Sequence, residues 1–135
     1  FKLADMATQT EAAELLTWRL GEPAFRMGLG RQLPGVLAAH VADFATRLKA
    51  AATPADQAGW AIHPGGRAVL DAVGTALQLT PWQIAPSRSV LARYGNMSSP
   101  SLLFALDAVP AEATSGVALA FGPGLSLEGF GWVRG

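Results

Sequence analysis

The 135-residue sequence contains no cysteine. That absence excludes disulfides, thiolate metal sites and a cysteine nucleophile from the chain itself, and it leaves the redox compartment unread. Charge is scarce: 15% of residues are Asp, Glu, Lys or Arg, ten of each sign, for a net charge of zero. The arginines are scattered and form no basic stripe, so no nucleic-acid partner is expected. The two histidines stand far apart, with no carboxylates at ligand spacing, so no metal site is expected either. The longest nearly apolar run, Gly116 to Leu127, is too short to cross a bilayer and contains Pro123, which argues against a membrane partner. No basic segment with an apolar stretch behind it opens the chain, so it does not read as secreted. The sequence begins at Phe1 without an initiator methionine and enters ordered-looking sequence at once. The expectation is a fragment or a processed chain.

What is present is apolar. Half of the residues are hydrophobic, enough for one domain with a buried core. Such a share is high for a small domain with a large surface. Two readings stay open: another chain or domain covers part of the surface, or the composition is simply alanine-rich.

The pattern along the chain predicts alternating elements. Glu14 to Leu20 and Ala24 to Gly30 are extended-looking runs separated by Gly21-Glu22-Pro23, which predicts a hairpin. Pro34 opens a helix with Leu37, Val41, Phe44 and Leu48 on one stripe, and Pro54 lies beyond its end. Gly59 to Ile62 reads as a short buried strand. Pro64-Gly65-Gly66 turns into a second helix that runs to about Leu79, with Val69, Leu70, Val73, Ala76 and Leu77 on its apolar face. Pro81 begins a connector that leads to a short helix ending near Tyr94. Met97 to Val109 reads as a mostly buried helix stopped by Pro110. Ser115 to Gly122 and Leu125 to Val133 form a second hairpin around Pro123-Gly124. Together these predict an α/β domain with a mixed sheet of about five strands and helices packed on it.

Two constellations carry chemistry. The first is Trp60-Ala61-Ile62-His63-Pro64-Gly65-Gly66. A histidine at the carboxyl end of a buried strand stands where ligand sites of α/β sheets usually lie. The following helix N-terminus favours the neutral imidazole, which can still donate one hydrogen bond to a developing oxyanion. The glycines allow close approach of a ligand. The plainer alternative is a histidine that caps the turn. The second constellation is Tyr94-Gly95-Asn96-Met97-Ser98-Ser99. Asn96 reads either as an N-cap or turn residue, with Ser98 helping to satisfy the first amides of the helix, or as a second donor into the pocket of His63. Two preorganised donors on one oxygen form an oxyanion hole. His40 falls at the edge of its helix stripe and reads as a boundary residue. Trp18, Trp60, Trp82 and Trp132 read as core or interface.

Four segments in order resemble the C-terminal half of the chalcone and stilbene synthases, the type III polyketide synthases. They are Pro34-Gly35, WAIHPGG at 60–66, YGNMSS at 94–99 and FGPGLSLE at 121–128. The resemblance implies the C-terminal half of a thiolase-like fold over residues 1–135, in which two similar α/β halves pack around a central helix pair. It implies an acyltransferase that condenses malonyl-CoA by decarboxylation onto an acyl-CoA starter held on a cysteine of the N-terminal half. By the resemblance, His63 and Asn96 are catalytic and His63 also helps to keep that cysteine as thiolate. Gly65, Gly66 and Ala68 lie beside the pantetheine arm of CoA. Ser98 and the loop Phe121, Gly122, Pro123 and Gly124 line the cavity. No cofactor is bound permanently, and CoA thioesters are substrates. The partners implied are the cysteine-bearing half and a second copy, in a cytoplasmic homodimer. Ile62, Arg67 and Ala120 depart from the best-known plant members and lean toward the bacterial branch. Two other readings remain: a relative of the ketoacyl synthases that start fatty-acid chains, and a non-catalytic packing or dimerisation module.

Overall fold

The structure is a computed structural model that describes residues 32–52, 58–122 and 126–134. Helix α1 spans Leu33–Ala52, strand β1 Gly59–Ile62, helix α2 Arg67–Ala76, helix α3 Pro81–Tyr94, helix α4 Pro100–Asp107, strand β2 Ser115–Gly122 and strand β3 Ser126–Val133. The strands form one mixed sheet in the order β1-β2-β3. β1 runs parallel to β2, with Gly59 opposite Gly116 and Ile62 opposite Leu119. β2 and β3 are antiparallel, from Ser115 opposite Val133 to Gly122 opposite Ser126. Three strands are thus described where about five were expected. The expected hairpin over 14–30, with Trp18, lies outside the described residues, as do Pro123 and Gly124.

The two-residue period of the strands sorts the core into two sides. Trp60, Ile62, Val117, Leu119 and Leu127 face one side, against Leu37 and Val41 of α1 and Leu70 and Val73 of α2. Ala61 and Ala118 face the other, against Val90 of α3, Ala105 of α4, and Val109. Large side chains meet α1 and α2, while alanines let α4 come close. Helix α3 touches both sides: Ile84 and, farther along, Leu91 pack with the first cluster, and Val90 with the second. Between them lies Ser87, fully buried.

At one level of the sheet, Gly59, Gly116 and Trp132 stand in a row across the three strands. The Trp132 indole occupies the space that the glycines leave. A Cβ on Gly116 would lie 2.4 Å from Trp132 Cζ2 and 2.1 Å from the Gly59 carbonyl oxygen.

Three expectations change. The segment after Pro81 is not a connector but the first turn of a single helix. Thr80 caps α3: its side chain accepts from the Gln83 amide, and the Gln83 side chain accepts from the Thr80 amide. This is a capping box with Pro81 inside the first turn, where a missing N–H costs nothing. The second helix ends at Ala76 rather than near Leu79, because Gln78 adopts a left-handed φ of 54°. The Leu79 amide then donates to Gly74 and the Gln78 amide to Thr75, which satisfies the last carbonyls. The third change concerns α4. It begins at Pro100 rather than Met97, and its outer face is uncovered among the described residues. Leu103 is 64% exposed and Phe104 44% exposed, and Phe104 meets exposed Tyr94 with ring centroids 5.3 Å apart.

Candidate functional site

The end of β1 is held from both sides. The His63 amide donates to the Leu119 carbonyl of β2 at 2.8 Å, and the preceding Ile62 amide donates to Ser87 Oγ at 2.8 Å. His63 is buried, and its imidazole makes no hydrogen bond with the described residues. It does not cap α2. The cap position is Gly66, and no side chain bonds there. The alternative of a turn-capping histidine is therefore not what the chain adopts.

Burial holds the His63 pKa below its ordinary value, because removing water disfavours the imidazolium. The helix N-terminus was expected to act in the same direction; the cause here is desolvation. A neutral ring has one N–H donor and one free nitrogen.

Gly65 connects the two sequence motifs. Its amide donates to the His63 carbonyl at 2.9 Å, and its carbonyl accepts from Asn96 Nδ2 at 3.2 Å. A Cβ at position 65 would sit 3.5 Å from His63 Cδ2 and 3.7 Å from Nε2. A side chain there would rest in van der Waals contact with the edge of the ring, which glycine leaves uncovered on that side.

Asn96 follows α3 through Gly95, whose φ of 71° belongs to the region that glycine tolerates best. It is a turn residue rather than the cap of α4, whose cap position is Ser99. Asn96 Oδ1 accepts the Ser98 amide at 2.8 Å while Nδ2 donates to Gly65. An amide N–H only donates and a carbonyl only accepts, so one orientation of the carboxamide satisfies both. The Asn96 NH₂ group has two hydrogens, and the Gly65 carbonyl accepts one. Ser98 takes the left-handed φ of 64° that this turn requires. Fully buried Ser101 steadies the loop: its hydroxyl accepts the Met97 amide at 2.7 Å, and its amide donates to the Ser98 carbonyl at 3.0 Å.

The remaining candidates are more dispersed. Gly66 and exposed Ala68 lie at the start of α2, beside the His63 turn. Ser98 is exposed on the Asn96 loop. Phe121 is half-buried against the larger core cluster, and Gly122 ends β2. The reading of the sequence missed Ser87 and Ser101. Their signal is a small polar residue placed where the apolar face of a helix turns inward. Among the described residues, no group of three His, Cys, Asp or Glu side chains could hold a metal ion. No described helix is long and apolar enough to cross a membrane.

Residues 3–134 match the family described as chalcone and stilbene synthases, C-terminal domain. The chain belongs to that family. Among relatives of this chalcone and stilbene synthase domain, type III polyketide synthase C of Arabidopsis thaliana is 37% identical over 124 residues. That match covers 83% of the chain and 32% of the relative. The 1,3,6,8-tetrahydroxynaphthalene synthase of Streptomyces peucetius subsp. caesius is 38% identical over 125 residues, covering 87% of the chain and 33% of the relative. Among solved structures, PKS-I of the brown alga Ectocarpus siliculosus superposes with a TM-score of 0.76 at 27% identity. It covers 93% of the chain and 36% of that structure. The C-terminal type III polyketide synthase domain of Steely1, from Dictyostelium, gives a TM-score of 0.74 at 29% identity, covering 89% and 36%. The chain thus spans about a third of the length of the curated relatives it matches. Plant and Streptomyces relatives match at nearly equal identity, so these matches do not separate the branches that Ile62, Arg67 and Ala120 were read to distinguish.

Proposed function

We propose that this chain is the C-terminal part of a type III polyketide synthase, an acyltransferase that condenses malonyl-CoA by decarboxylation onto an acyl-CoA starter. The observation that carries the reading is the bridge through Gly65, which ties the His63 turn to the Asn96 carboxamide. Family membership supports the same reaction class.

The chemistry follows from the donors. Loss of CO₂ from malonyl-CoA leaves negative charge on the thioester oxygen of an enolate. The neutral imidazole N–H of His63 and the second Nδ2 hydrogen of Asn96 stabilise that oxygen. Attack of the enolate carbon on the acyl thioester then forms a tetrahedral intermediate. Its collapse breaks the C–S bond, returns the cysteine thiolate and leaves the extended β-keto thioester on CoA, its former enolate oxygen still facing the two donors. The fixed carboxamide needs no reorganisation as charge develops, which is where most of the benefit of an oxyanion hole arises. The thioester is held by a cysteine outside this chain, since the chain has none.

The uncovered face of α4 supports a second body. Leu103, Phe104 and neighbouring Tyr94 present apolar surface that a soluble domain usually covers. The cysteine-bearing segment of the relatives' remaining length is the proposed occupant. A homodimer, a cytoplasmic location and a CoA arm running past Gly65, Gly66 and Ala68 belong to the same proposal, as does a cavity wall at Ser98 and Phe121 to Gly124. The bacterial affinity read from Ile62, Arg67 and Ala120 belongs to it too.

The test is CO₂ release from malonyl-CoA by the full-length synthase that carries this chain. His63→Ala and Asn96→Ala should each slow it about 100- to 1000-fold. A wild-type rate in either would remove the shared oxyanion-hole role.

A further inference from the structure

Ser87 is fully buried within α3, at a position the sequence alone marks as helix interior. Serine is a poorer helix former than alanine, so local propensity does not account for it. Its hydroxyl accepts the Ile62 amide at 2.8 Å. Successive amides of a strand point to opposite edges. The His63 amide points to β2 and meets the Leu119 carbonyl. The Ile62 amide points to the other edge of β1, away from β2, where α3 lies in contact with both core clusters.

Helix α3 also delivers Asn96. From Ser87 the helix continues to Tyr94, and Gly95 then turns the chain into Asn96. The seven helical steps from Ser87 to Tyr94 give a rise of about 10 Å. One end of this strut is fastened to the strand that ends in His63, and the other leads to the loop that holds Asn96. We propose that Ser87 is a positioning residue, which fixes the distance between His63 and Asn96 by fastening α3 to the end of β1. The proposal rests on the oxyanion-hole reading of those two residues.

Without the hydroxyl, the Ile62 amide loses its partner and the strand end can slide along α3. Geometry matters steeply here, because a displacement of about 1 Å at a reacting group can cost about 100-fold in rate. The experiment uses full-length synthase and measures CO₂ release from malonyl-CoA well below the melting temperature of each variant. Ser87→Ala should lower kcat about 10- to 100-fold with KM changed by less than about threefold. Ser87→Thr keeps the hydroxyl and should restore kcat to within about threefold of wild type. Ser87→Cys fills the same space with a weaker acceptor; it should show the loss seen with alanine and carries the test if the alanine variant does not fold.

A merely structural serine is distinguished by combining variants. In the Asn96→Ala background, Ser87→Ala should cost less than about threefold more, because one of the two donors it aligns is already gone. Unchanged kcat in Ser87→Ala and Ser87→Cys overturns the proposal. So does a loss of the same size in both backgrounds. A wild-type rate in Asn96→Ala alone overturns the oxyanion-hole reading itself, and the positioning role with it.

Discussion

The Asn96 carboxamide donates to the Gly65 carbonyl at 3.2 Å, across 31 positions of sequence. The bond joins the loop after α3 to the turn after β1. It also selects which end of the carboxamide can face a ligand: Oδ1 is taken by the Ser98 amide, and a hydrogen of Nδ2 remains.

Replacement of Asn96 by aspartate tests that arrangement. The carboxylate can still accept the Ser98 amide, but its second oxygen faces the Gly65 carbonyl and has no proton to give. Asn96→Asp should therefore lose the donor and add repulsion. The expected fall in CO₂ release is at least as large as for Asn96→Ala, about 100- to 1000-fold, measured in the same assay. An aspartate variant faster than the alanine variant contradicts the assigned orientation.

His63 gives a pH prediction. Burial places its folded pKa below the ordinary value of 6.5. Well above that value both folded and unfolded states hold a neutral ring. As pH falls through the unfolded pKa, the unfolded chain binds the proton first, so stability declines toward the folded pKa. Urea unfolding between about pH 7.5 and about pH 5.5 should show this loss in wild type and a smaller loss in His63→Gln. Equal pH dependence in the two proteins removes the buried histidine as its source.

The Gly116 and Trp132 pair gives a stability prediction remote from the site. A Cβ on Gly116 runs into the Gly59 carbonyl oxygen as well as the indole, and backbone cannot yield as a flexible side chain can. Gly116→Ala should destabilise by about 3 kcal/mol, the upper end of the usual overpacking range. Thermal or urea unfolding measures it, and a change below about 0.5 kcal/mol contradicts the packing described.

Much of this was legible from the residues, and the exceptions have physical causes. Gly59 to Ile62 was read as a buried strand because four small or apolar residues sit between turn signals, and its bounds agree with the structure. At Pro81 a proline that reads as a breaker is instead the first residue of a helix. The Thr80 and Gln83 pairing three residues apart was the stronger signal, since it satisfies the amides that a helix start leaves open. The start of α4 is hidden in the sequence, because a left-handed serine at position 98 has no composition signature. Its burial was overestimated for a different reason. Low charge indicates that a face is covered, but not that this chain covers it, and Leu103 and Phe104 are exposed here. His63 and Asn96 were singled out from their places after a strand and before a helix. Their meeting through Gly65, and the serines that hold their neighbours, depend on contacts between segments far apart in sequence.

The proposed oxyanion hole requires His63 and Asn96 to act on one oxygen. The most direct measurement is a double-mutant cycle on CO₂ release from malonyl-CoA by the full-length synthase, comparing His63→Ala, Asn96→Ala and the pair. Two donors that form one hole act as a unit, so the double variant should be within about tenfold of the slower single variant. A wild-type rate in either single variant, or losses that multiply in full, contradicts a shared oxyanion hole.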